Sequence, residues 1–332
     1  MNKQTKNSID KDLFNILDKR VSSLVKAKDS HIVILGGSGF VGTWLLCLIS
    51  VLNKKFNFNI TLTIIDKNKS DIFNEFFSDN KSEINFVNKD VAYISELPSK
   101  TNYIIHAACN PDIREHASNP FDTSASIADG VSNILKISNM LSSLKKIMYL
   151  SSGLADSNYN QDIYSRSKSF AELLCTSARQ QFRAPILIGR PYSFMGPFHE
   201  ISSPWAQNMF ILDAINGKSI RVRGDGNTVR SYMYGADAAF WILSLTLNGE
   251  IGETYSIGSD KEVRIEELAN IISKNFKGDI PVVLNTSKRT ESRSSHFVPN
   301  TEKERNNFDL EIYTSFESTI KKTVKWYIND GS

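Results

Sequence analysis

A glycine-rich turn between an apolar run and a helical pattern limits most strongly how this chain can fold. The apolar run from His31 to Leu35 leads directly into Gly36-Gly37-Ser38-Gly39-Phe40-Val41-Gly42, and an apolar helical stretch from Trp44 to Leu52 follows. Glycine tolerates backbone angles that other residues avoid and lets neighbouring groups approach closely, so such a turn can join a strand to a helix without a long loop. The pattern predicts a strand–turn–helix unit that opens a parallel sheet.

The three spaced glycines of this turn each suit a different task. Gly36 allows the tight turn, Gly39 lets the backbone approach a pyrophosphate at the helix N-terminus, and Gly42 allows the helix to pack closely on the strand. Phe40 and Val41 lie between them, at the start of the helix. The spacing therefore predicts a dinucleotide site with these five residues as candidate cofactor contacts.

An acidic residue closes the second predicted strand at the place where a dinucleotide fold needs one. Asp66 follows Gly42 by 24 residues, and a carboxylate there hydrogen-bonds the adenosine ribose while repelling a 2′-phosphate. We therefore expect NAD(H) rather than NADP(H), although Lys67 and Lys69 keep the second cofactor open. The alternative for Asp66 is an ordinary turn aspartate.

Apolar runs alternate with helical periodicity along the first two thirds of the chain, which predicts an α/β fold with a doubly wound parallel Rossmann sheet. An amphipathic helix, residues 8–28, precedes it, and a smaller C-terminal substrate-binding lobe follows. We expect an N-terminal extension at 1–29, a cofactor domain at 30–192 and a lobe at 193–332 interleaved with it through a strand at 253–257. The predicted strands of the cofactor domain are 31–35, 60–65, 84–87, 103–106, 147–151 and 186–188.

Composition excludes several other classes of protein. The chain of 332 residues has 39 basic and 36 acidic residues well mixed along it, so neither nucleic acid nor an anionic membrane is an expected partner. Its three cysteines lack the spacing of a metal site, and we expect no bound metal. No apolar run approaches the roughly 20 residues of a membrane span, and we expect a cytoplasmic protein without membrane insertion.

A tyrosine and a lysine follow the fifth predicted strand at a spacing that has chemical consequences. Tyr164 and Lys168 are four residues apart, so on a helix they share one face. An ammonium beside a phenol favours the phenolate, and we expect the pKa of Tyr164 to fall from its ordinary value of about 10. Tyr164 is the candidate proton-transfer group, Lys168 its partner, and Ser152 a third member twelve residues earlier. The pattern by itself also occurs by chance in helices.

With these motifs in order, the chain resembles the extended short-chain dehydrogenase/reductases of the NAD-dependent nucleotide-sugar epimerase/dehydratase family. The resemblance runs from about residue 30 to residue 330. Besides the glycine loop and the Ser/Tyr/Lys set, the motifs in family order are Asp90-Val91, His106-Ala107-Ala108, Arg190-Pro191, Met195-Gly196-Pro197, Gly224-Asp225-Gly226, Arg230, Tyr255-Ser256-Ile257-Gly258 and Phe297-Val298-Pro299.

The resemblance implies a role for each matching residue around NAD. Asp90 and Val91 would meet the adenine, Ala107 and Ala108 would line the cofactor pocket, and Lys168 would also hydrogen-bond the nicotinamide ribose. Lys67 belongs to the same group of candidate cofactor contacts.

On the substrate side, the resemblance implies that Ser152 holds a sugar oxygen while Tyr164 takes or gives its proton and the nicotinamide takes or gives the hydride. Arg230 matches the arginine that binds the sugar-nucleotide diphosphate, with Arg289 or Arg293 as a further candidate. Ser193 stands at a substrate-contacting position where the family commonly has asparagine. The family also implies a homodimer formed through helices at 118–141 and 164–182, and a setting in lipopolysaccharide, capsule or glycan precursor synthesis.

One departure from the family decides between its reactions. Gly153 and Leu154 follow Ser152, where the dehydratases carry an acid that protonates the departing hydroxyl and the decarboxylases carry a glutamate. Asp156 lies two residues too far along to replace that acid. We therefore expect a nucleotide-sugar epimerase that oxidises a sugar hydroxyl transiently and returns the hydride. The alternative is a reductase of a nucleotide-linked 4-keto sugar; a dehydratase or decarboxylase, or a cofactor-binding protein without catalysis, is less favoured.

Overall fold

The computed structural model describes residues 3–68, 84–156, 162–278, 280–285 and 295–330, and a seven-stranded parallel sheet lies at its centre. The strand order is β11-β6-β5-β4-β1-β2-β3, which confirms the predicted doubly wound arrangement. The strands are β1 His31–Leu35, β2 Thr61–Asp66, β3 Ile84–Asn88, β4 Tyr103–His106, β5 Lys146–Leu150, β6 Ile186–Pro191 and β11 Thr254–Ile257.

The central strands are mostly apolar because helices cover both faces of the sheet. Every residue of β1 and β4 is buried. The predicted strand bounds differ from the observed ones mainly at β6, which continues to Pro191 because Gly189 and Arg190 pair with β11. All seven strands point the same way, so their carboxyl ends meet at one edge, where loops can form a site.

The helices that flank this sheet form two layers, each with its own apolar cluster. On one side, α2 packs against the helix at 235–248, and on the other the helices at 120–138 and 163–182 pack against each other. Among the described residues up to 182, the helices are α1 Lys3–Arg20, α2 Phe40–Phe56, α3 Ile113–Ser118, α4 Pro120–Ser138 and α5 Ile163–Phe182, with 3₁₀ turns at Val21–Ala27, Val91–Tyr93 and Gly153–Ala155.

The N-terminal segment differs from the single helix predicted at 8–28. The α-helix begins earlier, ends at Arg20 and gives way to the 3₁₀ turn. The carboxylate of Asp12 accepts hydrogen bonds from Tyr234 Oη at 3.1 Å and from the Lys322 ammonium. Tyr234 is buried, so this contact fixes the extension to the body of the protein.

The C-terminal third contributes both to the sheet and to a smaller lobe. β11 pairs with β6 in the main sheet, while short strands and three further helices surround a third apolar cluster. This interleaving agrees with the expected strand near 253–257. The elements are β7 Phe194–Met195, α6 Ala206–Ile215, β8 Ile220–Arg223, β9 Val229–Arg230, β10 Met233–Tyr234, α7 Gly235–Asn248, β12 Val263–Arg264, α8 Ile265–Ser273, β13 Val282–Asn285, β14 His296–Phe297, α9 Glu302–Phe308 and α10 Phe316–Asn329. Within the described ranges, no helix is both long and apolar enough to cross a bilayer.

Candidate active site

The glycine loop after β1 lies directly against the loop after β4. Gly36 has φ of +80°, and a Cβ added to it would lie 2.6 Å from Ala108 Cα. Gly42 is equally closely packed, since a Cβ there would lie 2.5 Å from the Gly36 carbonyl oxygen. Neither position has room for a side chain, so the turn and its close packing both require glycine.

Gly39 differs from the other two because it is exposed and an added Cβ would meet no close contact. It is the N-cap of α2, and the nearest atom to an added Cβ is the Gly36 carbonyl oxygen at 3.5 Å. The first N–H groups of a helix have no intrahelical acceptor and favour an anion. The loop with Phe40 and Val41 therefore fits the pyrophosphate of a dinucleotide as the glycine spacing predicts.

The end of β2 is held against the glycine loop by Asp66. Its carboxylate accepts the Ser38 N–H at 2.9 Å and the Asn68 N–H at 3.2 Å. It thus lies beside the loop that fits the pyrophosphate, where a ribose acceptor is expected. Sequence reasoning predicted the position of Asp66 but not its second task of holding the loop.

The Lys67 ammonium at the end of β2 forms an ion pair. Its Nζ pairs with Asp90 Oδ2 at 2.7 Å. Partial burial acts to raise the pKa of Asp90, but the hydrogen bonds from Lys67 and the Ala92 N–H outweigh it and hold the pKa below its usual value. The pair weakens the case for a 2′-phosphate site at Lys67, while Lys69 lies outside the described residues.

The other predicted cofactor contacts lie at the same edge of the sheet. Asp90 caps the 3₁₀ turn that contains the buried Val91, and the Ala107 N–H donates to the Leu35 carbonyl at 2.9 Å. Ala108 packs under Gly36. The carboxyl ends of β1 to β4 therefore bring these residues together.

Ser152, Tyr164 and Lys168 converge where β5 ends and α5 begins. The Ser152 side chain lies near enough to the Tyr164 hydroxyl to lower the pKa of the phenol. Lys168 is buried, its Nζ donates to the Leu150 carbonyl at 2.9 Å, and it lies 5.8 Å from the centre of the Tyr164 ring. The predicted trio is thus one cluster at the carboxyl end of β5.

The expected lowering of the Tyr164 pKa is not found in the chain alone. Burial raises the pKa of Tyr164 well above its usual value, and the interaction with Ser152 offsets only part of this effect. The Lys168 ammonium points to a backbone carbonyl and not at the hydroxyl. The expectation was wrong because it treated two residues on one helix face without the burial around them.

The space where a side chain of residue 153 would stand is filled by Tyr192. A Cβ on Gly153 would lie 2.7 Å from Tyr192 Cζ. The Tyr192 ring stacks on Phe297 with centres 4.5 Å apart, and the Arg230 guanidinium lies 5.9 Å from the Phe297 ring centre. A continuous wall thus runs from Ser152 to the predicted diphosphate arginine.

Sequence reasoning missed this wall because its parts are distant in the chain. The motif Arg190-Pro191 and the final Phe297 were recognised, but nothing in either indicates that the intervening Tyr192 contacts Gly153. The Ser193 carbonyl accepts the Met233 N–H at 3.0 Å, and the Arg230 guanidinium donates to the Ser295 carbonyl at 3.0 Å. Arg289 and Arg293 lie outside the described residues.

Asp156 carries the first carboxylate after Ser152, and it forms an ion pair away from that serine. Asp156 Oδ2 pairs with Arg190 at 3.1 Å, and the same guanidinium pairs with Glu172 at 2.8 Å. Leu154 donates its N–H to Ser152 Oγ at 3.1 Å and carries no acid. Asp156 therefore binds an arginine of β6, which agrees with its rejection as a substitute for the missing acid.

His106 is buried beneath the site and is not suited to proton transfer. Burial, with a smaller effect of the Lys168 charge, lowers its pKa to about 3, and its ring meets Tyr149 edge-on at 5.5 Å. The imidazole is therefore neutral near pH 7. This supports a structural or cofactor-pocket role for His106 over general base catalysis.

The sequence of this chain also matches the model of a known protein family. The model described as the NAD dependent epimerase/dehydratase family matches residues 32–258, well over half of the chain. This chain belongs to the NAD dependent epimerase/dehydratase family. NAD is therefore its cofactor, as predicted, and the glycine loop, Asp66 and the Ser/Tyr/Lys cluster stand in the matched part.

Relatives of this family enzyme include both epimerases and dehydratases. An Arabidopsis thaliana trifunctional UDP-glucose 4,6-dehydratase/UDP-4-keto-6-deoxy-D-glucose 3,5-epimerase/UDP-4-keto-L-rhamnose-reductase is 24% identical over 327 residues, covering 90% of this chain and 47% of the relative. The chain thus spans about half the length of the curated relatives it matches.

Solved structures of the family share the fold at low sequence identity. A UDP-N-acetylglucosamine 4-epimerase from Methanobrevibacter ruminantium M1 has a TM-score of 0.77 at 21% identity, covering 91% of this chain and 99% of the other. A dTDP-glucose 4,6-dehydratase from Streptomyces venezuelae with NAD bound has a TM-score of 0.77 at 17% identity, covering 90% and 97%. Similarity of fold does not separate the two reactions.

The close contact at Gly36 generates a prediction for cofactor binding. Gly36→Ala should abolish measurable NAD binding, because the added methyl group forces the loop away from Ala108. Isothermal titration with NAD measures the affinity, and melting temperature reports folding.

Gly217→Ala is the matched control. Gly217 also has positive φ, +66°, but no atom lies within 4 Å of an added Cβ. The Gly217→Ala variant should have a slightly lower melting temperature and an unchanged NAD affinity. Unchanged NAD affinity in Gly36→Ala would show that the loop is not the cofactor site.

Proposed function

We propose that this family enzyme is a nucleotide-sugar epimerase that oxidises and re-reduces one sugar carbon. The observation that carries the proposal is the Tyr192 ring against Gly153, which fills the position from which a dehydratase would present its acid. Within residues 153–156, Leu154 and the Asp156–Arg190 pair leave no carboxylate directly beside Ser152. Tyr164 is then the principal proton-transfer group.

Bound NAD supplies the hydride acceptor and, once reduced, the hydride donor. Ser152 orients the sugar hydroxyl, and Tyr164 removes its proton as the carbon loses hydride, giving a ketone. When hydride returns to the opposite face of that ketone, Tyr164 gives the proton back. Both hydrogens return to the sugar, so the product is an epimer and no external oxidant or reductant is consumed.

The raised pKa of Tyr164 fits a group that exchanges its proton only when the site is filled. Lys168 is buried within the same cluster, and its charge favours the phenolate once cofactor and sugar complete the site. We propose a nucleoside diphosphate sugar as substrate, with Arg230 on the diphosphate and the Tyr192–Phe297 stack along the sugar. A function in surface glycan precursor synthesis would suit such a product.

Turnover without added cofactor tests this function directly. The purified protein should interconvert a nucleotide sugar from a panel of UDP- and dTDP-linked hexoses with no NAD(P)H consumed, and Tyr164→Phe should lower kcat about 10²–10⁴-fold. Chromatography of the nucleotide sugars measures conversion. Titration of Tyr164→Phe with NAD should show the same affinity as in the wild type.

Tyr93→Phe, at an exposed tyrosine, is the control and should behave as wild type. Stoichiometric NAD(P)H oxidation with a 4-keto sugar and no isomerisation would establish the reductase alternative instead. Full activity in Tyr164→Phe would refute the assignment of the acid/base.

The Tyr192–Gly153 contact leads to a second prediction. Gly153→Asp should not produce a dehydratase; because Tyr192 occupies the space, it should lower the free energy of unfolding by about 1–3 kcal/mol, as overpacking does. Combining it with Tyr192→Ala should recover most of that loss, a non-additive result expected for residues in contact. Chemical denaturation measures both. A Gly153→Asp variant that is fully stable and releases a dehydrated sugar would contradict the proposed reaction.

We also propose that two copies associate through α4 and α5. Phe121, Ile163 and Phe170 line an apolar groove between these helices and are exposed in one chain. Wild type should have twice the mass of one 37.3 kDa chain by light scattering at micromolar concentration.

Phe170→Glu should give a single chain because it places a charge in that groove. Ile328→Glu changes a comparably exposed residue on α10, 57% against 50% exposed, and should leave the mass doubled. A monomeric wild type would refute the dimer.

A further inference from the structure

A histidine that the proposed reaction does not use lies flat against the catalytic tyrosine. The His116 and Tyr164 ring centres are 4.5 Å apart, and the ring planes differ by 6°. His116 is 9% exposed, so the stack is shielded from solvent. A parallel contact of this kind covers one face of the phenol and limits its rotation.

The imidazole is itself fixed by a backbone contact. His116 Nε2 lies 2.8 Å from the Asn110 carbonyl oxygen. A carbonyl can only accept, so Nε2 carries the proton and the ring plane is set by the loop after β4. The orientation of His116 is therefore a property of that loop, which also contacts the cofactor site through Ala108.

The short helix that carries His116 is anchored at its start. Asp112 Oδ1 accepts the Arg114 N–H at 2.8 Å, and the Asp112 carboxylate pairs with the Arg114 guanidinium at 2.6 Å. Cys109, at the other end of the loop, lies near the phenol and contributes to the raised pKa of Tyr164. The segment 109–116 thus stacks on the ring face of the tyrosine through His116 and passes near its phenol at Cys109.

Tyr164 needs such support because of its place in the fold. It is the second residue of α5, where a helix has only begun, and the Lys168 ammonium, 5.8 Å from its ring centre, donates to the Leu150 carbonyl. Proton transfer requires the phenolic oxygen at a defined distance from the sugar, and small displacements of a reacting group lower rates steeply.

We propose that His116 is a positioning residue, which holds the Tyr164 ring in its reactive orientation by stacking. The hydrogen bond to Asn110 serves to orient the imidazole, and the planar face is the part that acts on Tyr164. This role adds a positioning residue to the proposed epimerase reaction. The kinetic test of His116 therefore rests on that proposed function.

Two substitutions separate stacking from hydrogen bonding. His116→Phe keeps a flat ring and loses the donor to Asn110, whereas His116→Asn keeps a donor and loses the ring. We expect kcat within a few-fold of wild type for phenylalanine and a fall of about 10–100-fold for asparagine. KM and NAD affinity should not change. Equal losses in both variants, or none in His116→Asn, would overturn the proposal.

A structural histidine provides the matched control. His31 is buried, and its ring nitrogens lie 2.7 Å and 3.1 Å from the Thr61 and Thr63 hydroxyls. His31→Asn should lower the melting temperature without lowering kcat. In the background of Tyr164→Phe, His116→Asn should cause no further loss of kcat, since its effect passes through the phenol. A further ten-fold loss there would assign His116 a separate role and refute positioning.

A spectroscopic measurement tests the stack even if no sugar is turned over. In protein labelled with ¹³C-tyrosine, the Tyr164 ring signals are those lost in Tyr164→Phe. In His116→Asn, the chemical shifts of these signals should change, and faster ring rotation should average the signals of the two sides of the ring. In His116→Phe, the signals should change little. Unchanged Tyr164 signals in His116→Asn would refute the stack, whereas an inactive wild type with the expected signal changes would refute only the epimerase.

Discussion

The approach of Gly36 to the backbone of Ala108 is the contact on which the rest of the site depends. It places the cofactor loop after β1 on the loop after β4, with no space for a side chain between them. The loop after β4 continues through Cys109 to His116, which stacks on Tyr164. One backbone contact therefore couples the position of the dinucleotide to the position of the proton-transfer group.

Burial dominates the electrostatics of this cluster. The desolvation that raises the pKa of Tyr164 also lowers the pKa of His106 to about 3, and both effects favour neutral groups in the chain alone. Lys168, 2% exposed, donates to a carbonyl. Charge brought by the cofactor therefore acts in surroundings of low polarity, where it has a larger effect than in water.

Local patterns in the sequence were sufficient for the fold and for much of the site. The strand preceding Gly36, the spacing to Asp66, and Tyr164 with Lys168 each depend on nearby residues, and the sheet follows from the alternation of strands and helices. The Tyr192–Gly153 and His116–Tyr164 contacts join segments that are 39 and 48 residues apart, respectively. Neither has a local signal, because the topology alone brings those segments together. The Tyr164 pKa was mispredicted for the same reason.

The mass of the product formed in deuterated water tests the central claim most directly. If Tyr164 moves a proton off and onto the hydroxyl oxygen, the cofactor takes and returns the hydrogen of the same carbon, and no acid stands at position 153, no deuterium is bound to carbon. After exchange back into ordinary water, the product then has the mass of the substrate. That result is predicted for whichever nucleotide sugar is turned over. A product lighter by one water with deuterium on carbon, or heavier by two hydrogens, would contradict the account.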